Sequence, residues 1–389
     1  MYITALTLQH IRNHSTTTIE PVRRVNVFCG MNGHGKTSIL EAISLCALST
    51  TFVPSDDKSL IRRGEESCLA ALTAYTDFGT PYKVSVQIST SERKRITSSF
   101  GKRLSPQDII GELPLVALSP DFKAITAGTP ADRRRFVDSI LSQSSKLYMS
   151  DMLTLKKILK QRNSLLHEAK AGCRIDDVLL ETWTEALIKT SAAIVHKRMG
   201  FLREFSGYVQ TAYQQIARHG GVNENIELVY EPDVLAEALT DMPTGMPTLV
   251  EIEQHYHRAL QTARIQERKR GTTAHGPQKD ELVLRVGGGV ARESASQGQH
   301  KTLLIALKMA EFQYLRDVRA ETPVLLLDDI FSELDARRAA NVFALLESGA
   351  QTFVTTTDPE LYHSHFASNK TDHALFMVEQ GAVRRVAVL

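Results

Sequence analysis

The chain has 389 residues, 42% of them hydrophobic and 23% charged, with 46 basic against 44 acidic side chains and a formal net charge of +2. That composition excludes an intrinsically disordered chain, and the length suits two structural units around at least one large core. Near-neutrality excludes a uniformly basic surface, so any nucleic-acid contact must rest on local clusters.

Four cysteines, Cys29, Cys46, Cys68 and Cys173, lie far apart without a C-x-x-C pair. The spacing argues against a disulfide framework or a zinc site and points to a reducing, cytoplasmic compartment. No run approaches the eighteen or so apolar residues of a membrane span. Residues 1–10 alternate as a strand does and lack a signal-peptide design.

Arg24 to Cys29 is a short β-branched and aromatic run, as a buried strand would be. It leads into Gly30-Met31-Asn32-Gly33-His34-Gly35-Lys36-Thr37, the pattern G-x-x-x-x-G-K-T. Ser38 to Leu48 follows, rich in strong helix formers. Strand, loop and helix in that order form a phosphate-binding loop for a nucleoside triphosphate. Its glycines let backbone amides curl around phosphate oxygens, and the helix N-terminus adds favourable partial charge. Gly30 to Gly35 form the cradle, Lys36 reaches the β- and γ-phosphates, and the Thr37 hydroxyl takes a place on Mg²⁺.

From Ile140 to Arg218 the pattern is largely helical. Leu153, Leu155, Ile158, Leu159, Arg162, Leu165 and Leu166 follow i, i+3, i+4 spacing. A longer stripe runs from Leu180 and Trp183 to Tyr213 and Ile216, predicting some forty residues of helix, roughly 60 Å. His219-Gly220-Gly221 is its glycine stop. A strand at Asn225 to Tyr230, a Pro/Gly-rich loop at residues 242–247 and a helix from Thr248 to Arg270 follow. These helices are too few and too short for a long coiled coil and suit a stubby lid or arm.

Ser296-Gln297-Gly298-Gln299 precedes an apolar-periodic helix, Lys301 to Leu315, and is either an anion site or an ordinary capped helix start. Pro323 to Leu327 then predicts a strand buried on both faces, delivering Asp328 and Asp329 at its C-terminal end, where open α/β sheets bind ligands. Asp328 is placed to hold magnesium and Asp329 to orient or deprotonate the attacking water, so Asp329 and Lys36 are the candidate catalytic residues. Nearly three hundred residues separate Lys36 from Asp328, so a unit of its own is inserted between the two halves of one site.

In this order the motifs resemble the RecF family, bacterial recombination mediators related to SMC and ABC-type ATPase heads. The resemblance rests on Gly30 to Thr37 with Leu40-Glu41-Ala42-Ile43 behind it, on Ser119-Pro120-Asp121, and on Gly128-Thr129-Pro130-Ala131-Asp132-Arg133-Arg134-Arg135-Phe136-Val137-Asp138. Leu155 to Asn163 fits the family's arm, and Ser296 to Gln299 with Leu327-Asp328-Asp329-Ile330-Phe331-Ser332-Glu333-Leu334-Asp335 completes the set. Departures are Thr126, Thr129, the Gln278-Lys279 pair where His-Arg is usual, and the lack of a switch histidine in Thr352 to Asp358.

The resemblance implies an α/β fold: an ABC-type P-loop ATPase head with a mixed sheet, plus an inserted, mainly helical lid or arm domain. The expected limits are 1–122 for the first part of the head, 123–270 for the arm and 271–389 for the rest of the head. It implies ATP and Mg²⁺ as cofactors. Ser296, Gln297, Gly298 and Gln299 would dock on the γ-phosphate bound to the opposite protomer, and Ser332 to Asp335 would lie along the dimer interface. Thr357 or Asp358 would sense the γ-phosphate. The implied activity is that of an ATP-dependent homodimer, free of membranes, that binds double-stranded DNA and single-strand/double-strand junctions. With RecR- and RecO-type mediators it would help load the RecA recombinase.

Asp329 stands where most cassette ATPases have a glutamate, one methylene longer, which predicts slow hydrolysis and a switch rather than a motor. Candidate DNA contacts are Arg62-Arg63, Arg93-Lys94-Arg95, Lys102-Arg103, Arg133-Arg134-Arg135, Lys156-Lys157 with Lys160, and Arg268-Lys269-Arg270. Few aromatics sit among them, which favours backbone reading of a duplex over base stacking. A transporter subunit, another SMC-like or defence-type ATPase, and a scaffold that binds ATP without turning it over remain as alternative readings.

Overall fold

The computed structural model describes residues 1–52, 56–98, 101–217, 224–235, 245–331, 342, 349–360 and 372–386. The expected stop at His219-Gly220-Gly221, residues 242–244 of the Pro/Gly loop, and the expected interface segment Ser332 to Asp335 lie outside the described residues. In chain order the strands are β1 (Tyr2–Ile11), β2 (His14–Ile19), β3 (Val25–Cys29), β4 (Ser67–Tyr75), β5 (Pro81–Ser89), β6 (Arg95–Ser98), β7 (Arg103–Leu104) and β8 (Leu115–Leu118). Then come β9 (Ile226–Glu231), β10 (Glu281–Val286), β11 (Gly289–Val290), β12 (Val324–Asp328), β13 (Thr352–Thr356), β14 (His373–Glu379) and β15 (Ala382–Val386). Two compact units result, one of Met1–Phe122 with Leu304–Leu389, the other of Lys123–Leu303.

The first unit holds two sheets. An antiparallel sheet runs β2-β1-β4-β5-β6-β7. Its strands alternate as a sheet with one covered face must: in β4, Cys68, Ala70, Leu72 and Ala74 are buried while the residues between them are half-exposed. The other sheet runs β15-β14-β3-β13-β12-β8 and is parallel except for its β15 edge. Every residue of β3, β8, β12 and β13 is buried. Such continuous burial requires cover on both faces, which is why β8 and the first four residues of β12 are unbroken apolar runs, while β3 and β13 admit only uncharged polar residues among their apolar ones. Phe28 of β3 stacks between Phe353 of β13 and Phe376 of β14, with centroids 6.3 and 5.0 Å away, tying three adjacent strands together.

The second unit is mainly helical. Its long members are Pro130–Ser144, Lys146–Lys170, Asp177–Ala217 and Leu249–Arg270. The third has 41 residues in one uninterrupted helix, the length the apolar stripe predicts. Leu249–Arg270 opens with a capping box between Thr248 and Glu251 and closes on Gly271 at φ 79, so both ends are set by local sequence. In Lys146–Lys170, Leu155, Ile158, Arg162 and Leu166 are buried whereas Leu153 is exposed.

The expected boundary at residue 270 moves. β10 pairs residue for residue with β9, Glu281 opposite Glu231 through Val286 opposite Ile226. Arg198 also reaches from the long helix to Asp280. Residues 271–303 therefore pack with the helical unit, whose β9 supplies the partner of β10.

Two buried cations knit that unit. Arg162 donates to both carboxylate oxygens of Glu267 at 2.9 and 2.6 Å, and to the Thr184 and Thr273 hydroxyls. Arg198 bridges Asp138 and Asp280 at 2.8 Å each and also reaches the Pro277 carbonyl. Such pairs hold because every guanidinium nitrogen has an acceptor, since an unpaired charge in that setting costs several kcal/mol. Burial pushes the Asp280 carboxyl up, and Arg198, Tyr230 and the Asp233 amide draw it back.

Candidate nucleotide site

β3 ends at Cys29 and the chain turns at once into Gly30, whose amide donates to the Thr356 carbonyl of β13 at 3.2 Å. The loop needs glycine here for lack of room: a Cβ on Gly30 would collide with the Val378 carbonyl. Gly33 and Gly35 have φ of 80 and 102, the left-handed region, and Gly35 is the N-cap of the helix Lys36–Leu48. The helix thus begins at the lysine of the motif.

Three successive loop carbonyls are held from outside. Gly33 accepts from Asn13 Nδ2, His34 from the Gly381 amide at 3.0 Å, and Gly35 lies 3.0 Å from His14 Nε2. A trans peptide points each N–H opposite to the preceding carbonyl. Fixing these oxygens outward therefore turns the amides of Gly35 and Lys36 inward, the arrangement an anion-binding nest requires. Lys36 Nζ donates to the Gly30 and Met31 carbonyls at 2.7 and 3.0 Å. Burial pulls the Lys36 ammonium below the ordinary lysine value, while Asp329, Cys29 and Asp328 draw it back. Met31 is 71% exposed and Asn32 is exposed on the rim.

The acidic half of the site arrives on β12. Parallel register sets Asp328 opposite Thr355, and Thr355 opposite Phe28, so β3, β12 and β13 end on one edge of the sheet. Thr37 Oγ1 donates to Asp328 Oδ1 at 2.9 Å, and Thr355 Oγ1 donates to the same oxygen at 2.7 Å. Desolvation raises the Asp328 pKa, the two hydroxyls lower it, Asp329 raises it and Lys36 lowers it. Asp329 follows at φ 47, a left-handed conformation an aspartate tolerates better than most residues, and its amide donates to Thr355 Oγ1.

Thr37 and Asp328 offer hard oxygen donors side by side. Mg²⁺ is commonly held by one or two protein oxygens, with waters and substrate phosphates completing the shell, so the donor set fits it. Among the described residues no group of three or more His, Cys, Asp or Glu is arranged for a metal ion. The sequence reading overlooked Thr355, whose hydroxyl joins both aspartates. The signal was present in the run Thr352 to Thr357, but only the register shows which hydroxyl faces β12. Thr357 and Asp358 are exposed, and the Asp358 amide donates to Thr356 Oγ1. Also overlooked were Asn13, His14 and Gly381, which are far from any motif.

The RecF/RecN/SMC N terminal domain family matches residues 2–383. The DNA replication and repair protein RecF of Chlorobium phaeovibrioides is 34% identical over 366 residues, covering 92% of this chain and 94% of that one. The chain belongs to the RecF family. A solved structure of the recombination mediator protein RecF-ATP in the RecFOR pathway superposes with a TM-score of 0.88 at 27% identity, covering 99% of this chain and 98% of that one. An Smc head bound to the C-winged helix domain of ScpA, at TM-score 0.55 and 14% identity, shares the fold, that of an ABC-type ATPase head.

In this RecF-family chain the segment Ser296 to Gln299 belongs to the second unit. The helix expected from Lys301 begins earlier, at Gln297. The Ser296 amide donates to Gln299 Oε1 and the Gln299 amide to Ser296 Oγ, a reciprocal cap that builds the first turn from the motif itself. Gln299 Nε2 also donates to Glu224.

The basic clusters part company. Arg133 is buried against Glu281, with its Nε and Nη2 both on that carboxylate, and Arg134 donates to the Asp280 carbonyl. Of that cluster only Arg135 is exposed, so the triad as a whole is not a DNA-facing patch. Lys94 is tied to Asp57 and the Ser49 carbonyl. Lys156, Lys157 and Lys160 stand exposed together on one helix. No helix among the described residues is long and apolar enough to cross a membrane.

Proposed function

We propose that this protein is an ATP-dependent, DNA-binding recombination mediator that dimerises on ATP, recognises gapped or junction DNA and acts with RecR- and RecO-type partners to load the RecA recombinase. The observation that carries the nucleotide half is the Thr37–Asp328 hydrogen bond, which joins the two motifs into one site. The RecF relatives named for DNA replication and repair, and the RecF-ATP structure, support the rest.

In this reading Gly30, Met31, Asn32, Gly33, His34 and Gly35 wrap the phosphates, with the inward amides supplying neutral donors. Lys36 leaves the Gly30 and Met31 carbonyls for the β- and γ-phosphate oxygens. Thr37 and Asp328 would hold Mg²⁺, which would supply neutralisation of phosphate charge. Asp329 orients the attacking water. Its carboxylate sits one methylene short of a glutamate on a left-handed turn, so hydrolysis is slow and ATP acts as a switch. Ser296, Gln297, Gly298 and Gln299 of a second copy complete each site.

Light scattering with and without MgATP and gapped duplex tests this. Wild type dimerises with ATP, and more readily with the DNA. Lys36→Ala stays monomeric. Asp329→Asn binds ATP and persists as a dimer several-fold longer. Equal dimerisation with and without ATP would overturn the switch.

A further inference from the structure

His14 is fully buried, and both of its ring nitrogens face oxygen. Nε2 lies 3.0 Å from the Gly35 carbonyl, which can only accept. Nδ1 lies 3.0 Å from Thr17 Oγ1, and that hydroxyl lies 3.0 Å from the Gly381 carbonyl. The Thr17 hydroxyl has one proton for two claimants. With a neutral ring it donates to Nδ1, and the Gly381 carbonyl loses this bond. With a doubly protonated ring Nδ1–H donates to Thr17, and the hydroxyl proton turns to Gly381. The Gly381 amide is itself bonded to the His34 carbonyl. A Cβ on Gly35 would lie 2.7 Å from His14 Nε2, so the ring is pressed against the phosphate loop's N-cap.

We infer that His14 is a positioning residue of the phosphate loop that couples its order to one proton: protonation fastens the β14–β15 turn to the loop through Thr17 and Gly381. Burial holds the His14 pKa below the ordinary histidine value; hydrogen bonds to the Gly35 and Gly381 backbone draw it back, and the nearby charge of Arg62 lowers it a little further. Among the described residues, the elements next to the ring also carry His10 on β1 and Arg12 just after it, His34 in the loop, Lys36 and Glu41 on its helix, Glu379 on β14, and Arg384 and Arg385 on β15. Triphosphate in the cradle places negative charge a few ångströms away and favours the protonated ring, so affinity rises as pH falls. This consequence rests on the loop binding ATP; the coupling within the protein does not.

Hydrogen exchange of the nucleotide-free protein tests the coupling, with peptides covering 30–37 and 379–383 followed from about pH 8 down to about pH 4.5, since burial moves the titration to the acid side, and corrected for intrinsic exchange. In wild type both peptides gain protection as pH falls. In His14→Gln, which cannot titrate, and in Thr17→Val, which keeps the ring but removes the relay, the pH dependence is flat. The same pH dependence in wild type and either variant would overturn the proposal. MgATP affinity then follows: wild type tightens on acidification relative to His14→Gln by up to about tenfold per pH unit, the limit for uptake of one proton. The nucleotide's own titration cancels between the two proteins. A wild type that binds no ATP would sink the proposed function, while the exchange data would still decide the role of His14.

Discussion

Asp328 carries the conflict between stability and function most openly. The residue is 7% exposed, and its pKa is raised above the ordinary aspartate value, first by desolvation. A group whose pKa rises on folding contributes stability that is present below its unfolded pKa and lost as pH climbs through its folded one. At neutral pH the ionised carboxylate therefore works against the fold. Asp328→Asn should raise the unfolding free energy by on the order of 1 kcal/mol at pH 7 while removing Mg²⁺-dependent nucleotide affinity. Thermal scans at pH 7 and pH 4 check this: the gain should shrink toward the lower pH, and a variant less stable than wild type at pH 7 would defeat the argument. Glu41 is buried nearby on the loop's helix but has Arg12, with two bonds of 2.9 Å, to offset its burial.

At the scale of elements, the helical unit depends on side chains that a hydrophobic pattern cannot predict. Arg162 falls within the apolar stripe of its helix, and the structure explains why: it is buried against Glu267 of the helix Leu249–Arg270. Removing one partner leaves a buried charge, so Glu267→Ala should cost about 3–5 kcal/mol, read by urea denaturation of the full chain. A loss under about 1 kcal/mol would mean that water reaches the guanidinium. The same limit governs how much of the fold the sequence disclosed. The buried strands and the long helix were legible because apolar runs and helical spacing are local signals. The β9–β10 pairing was not, because partners as far apart in sequence as Glu231 and Glu281 leave no local trace. The phosphate loop and the two aspartates were likewise legible, whereas Thr355 became visible only through register, and Asn13, His14 and Gly381 only through packing.

For the whole molecule, near-neutral charge means that affinity for a polyanion must come from a few sites. The exposed lysines at 156, 157 and 160 are the cleanest candidates, since Arg133 and Lys94 are committed to internal partners. Replacing the three with glutamine should weaken duplex binding uniformly across sequences. If all three meet phosphates, it should flatten the slope of log K against log salt by up to about 2.7 units, near 0.9 per phosphate. An unchanged slope would remove this helix from the DNA interface.

The parallel sheet has a consequence for how the protein is made. β3, which launches the phosphate loop, pairs with β13 and β14, Val25 opposite Thr352 and His373. On the ribosome the motif that defines the site thus emerges long before the strands that support it. The hairpins β1-β2 and β4-β5 can close early, since their contacts are local, but pairing across such sequence separation is slow and comes last. A nascent chain halted before residue 350 should carry an intact G-x-x-x-x-G-K-T sequence and no competence for nucleotide. ATP therefore has no hold on this chain until β13 and β14 have been made, so nucleotide retention reports closure of the sheet around β3 rather than presence of the motif.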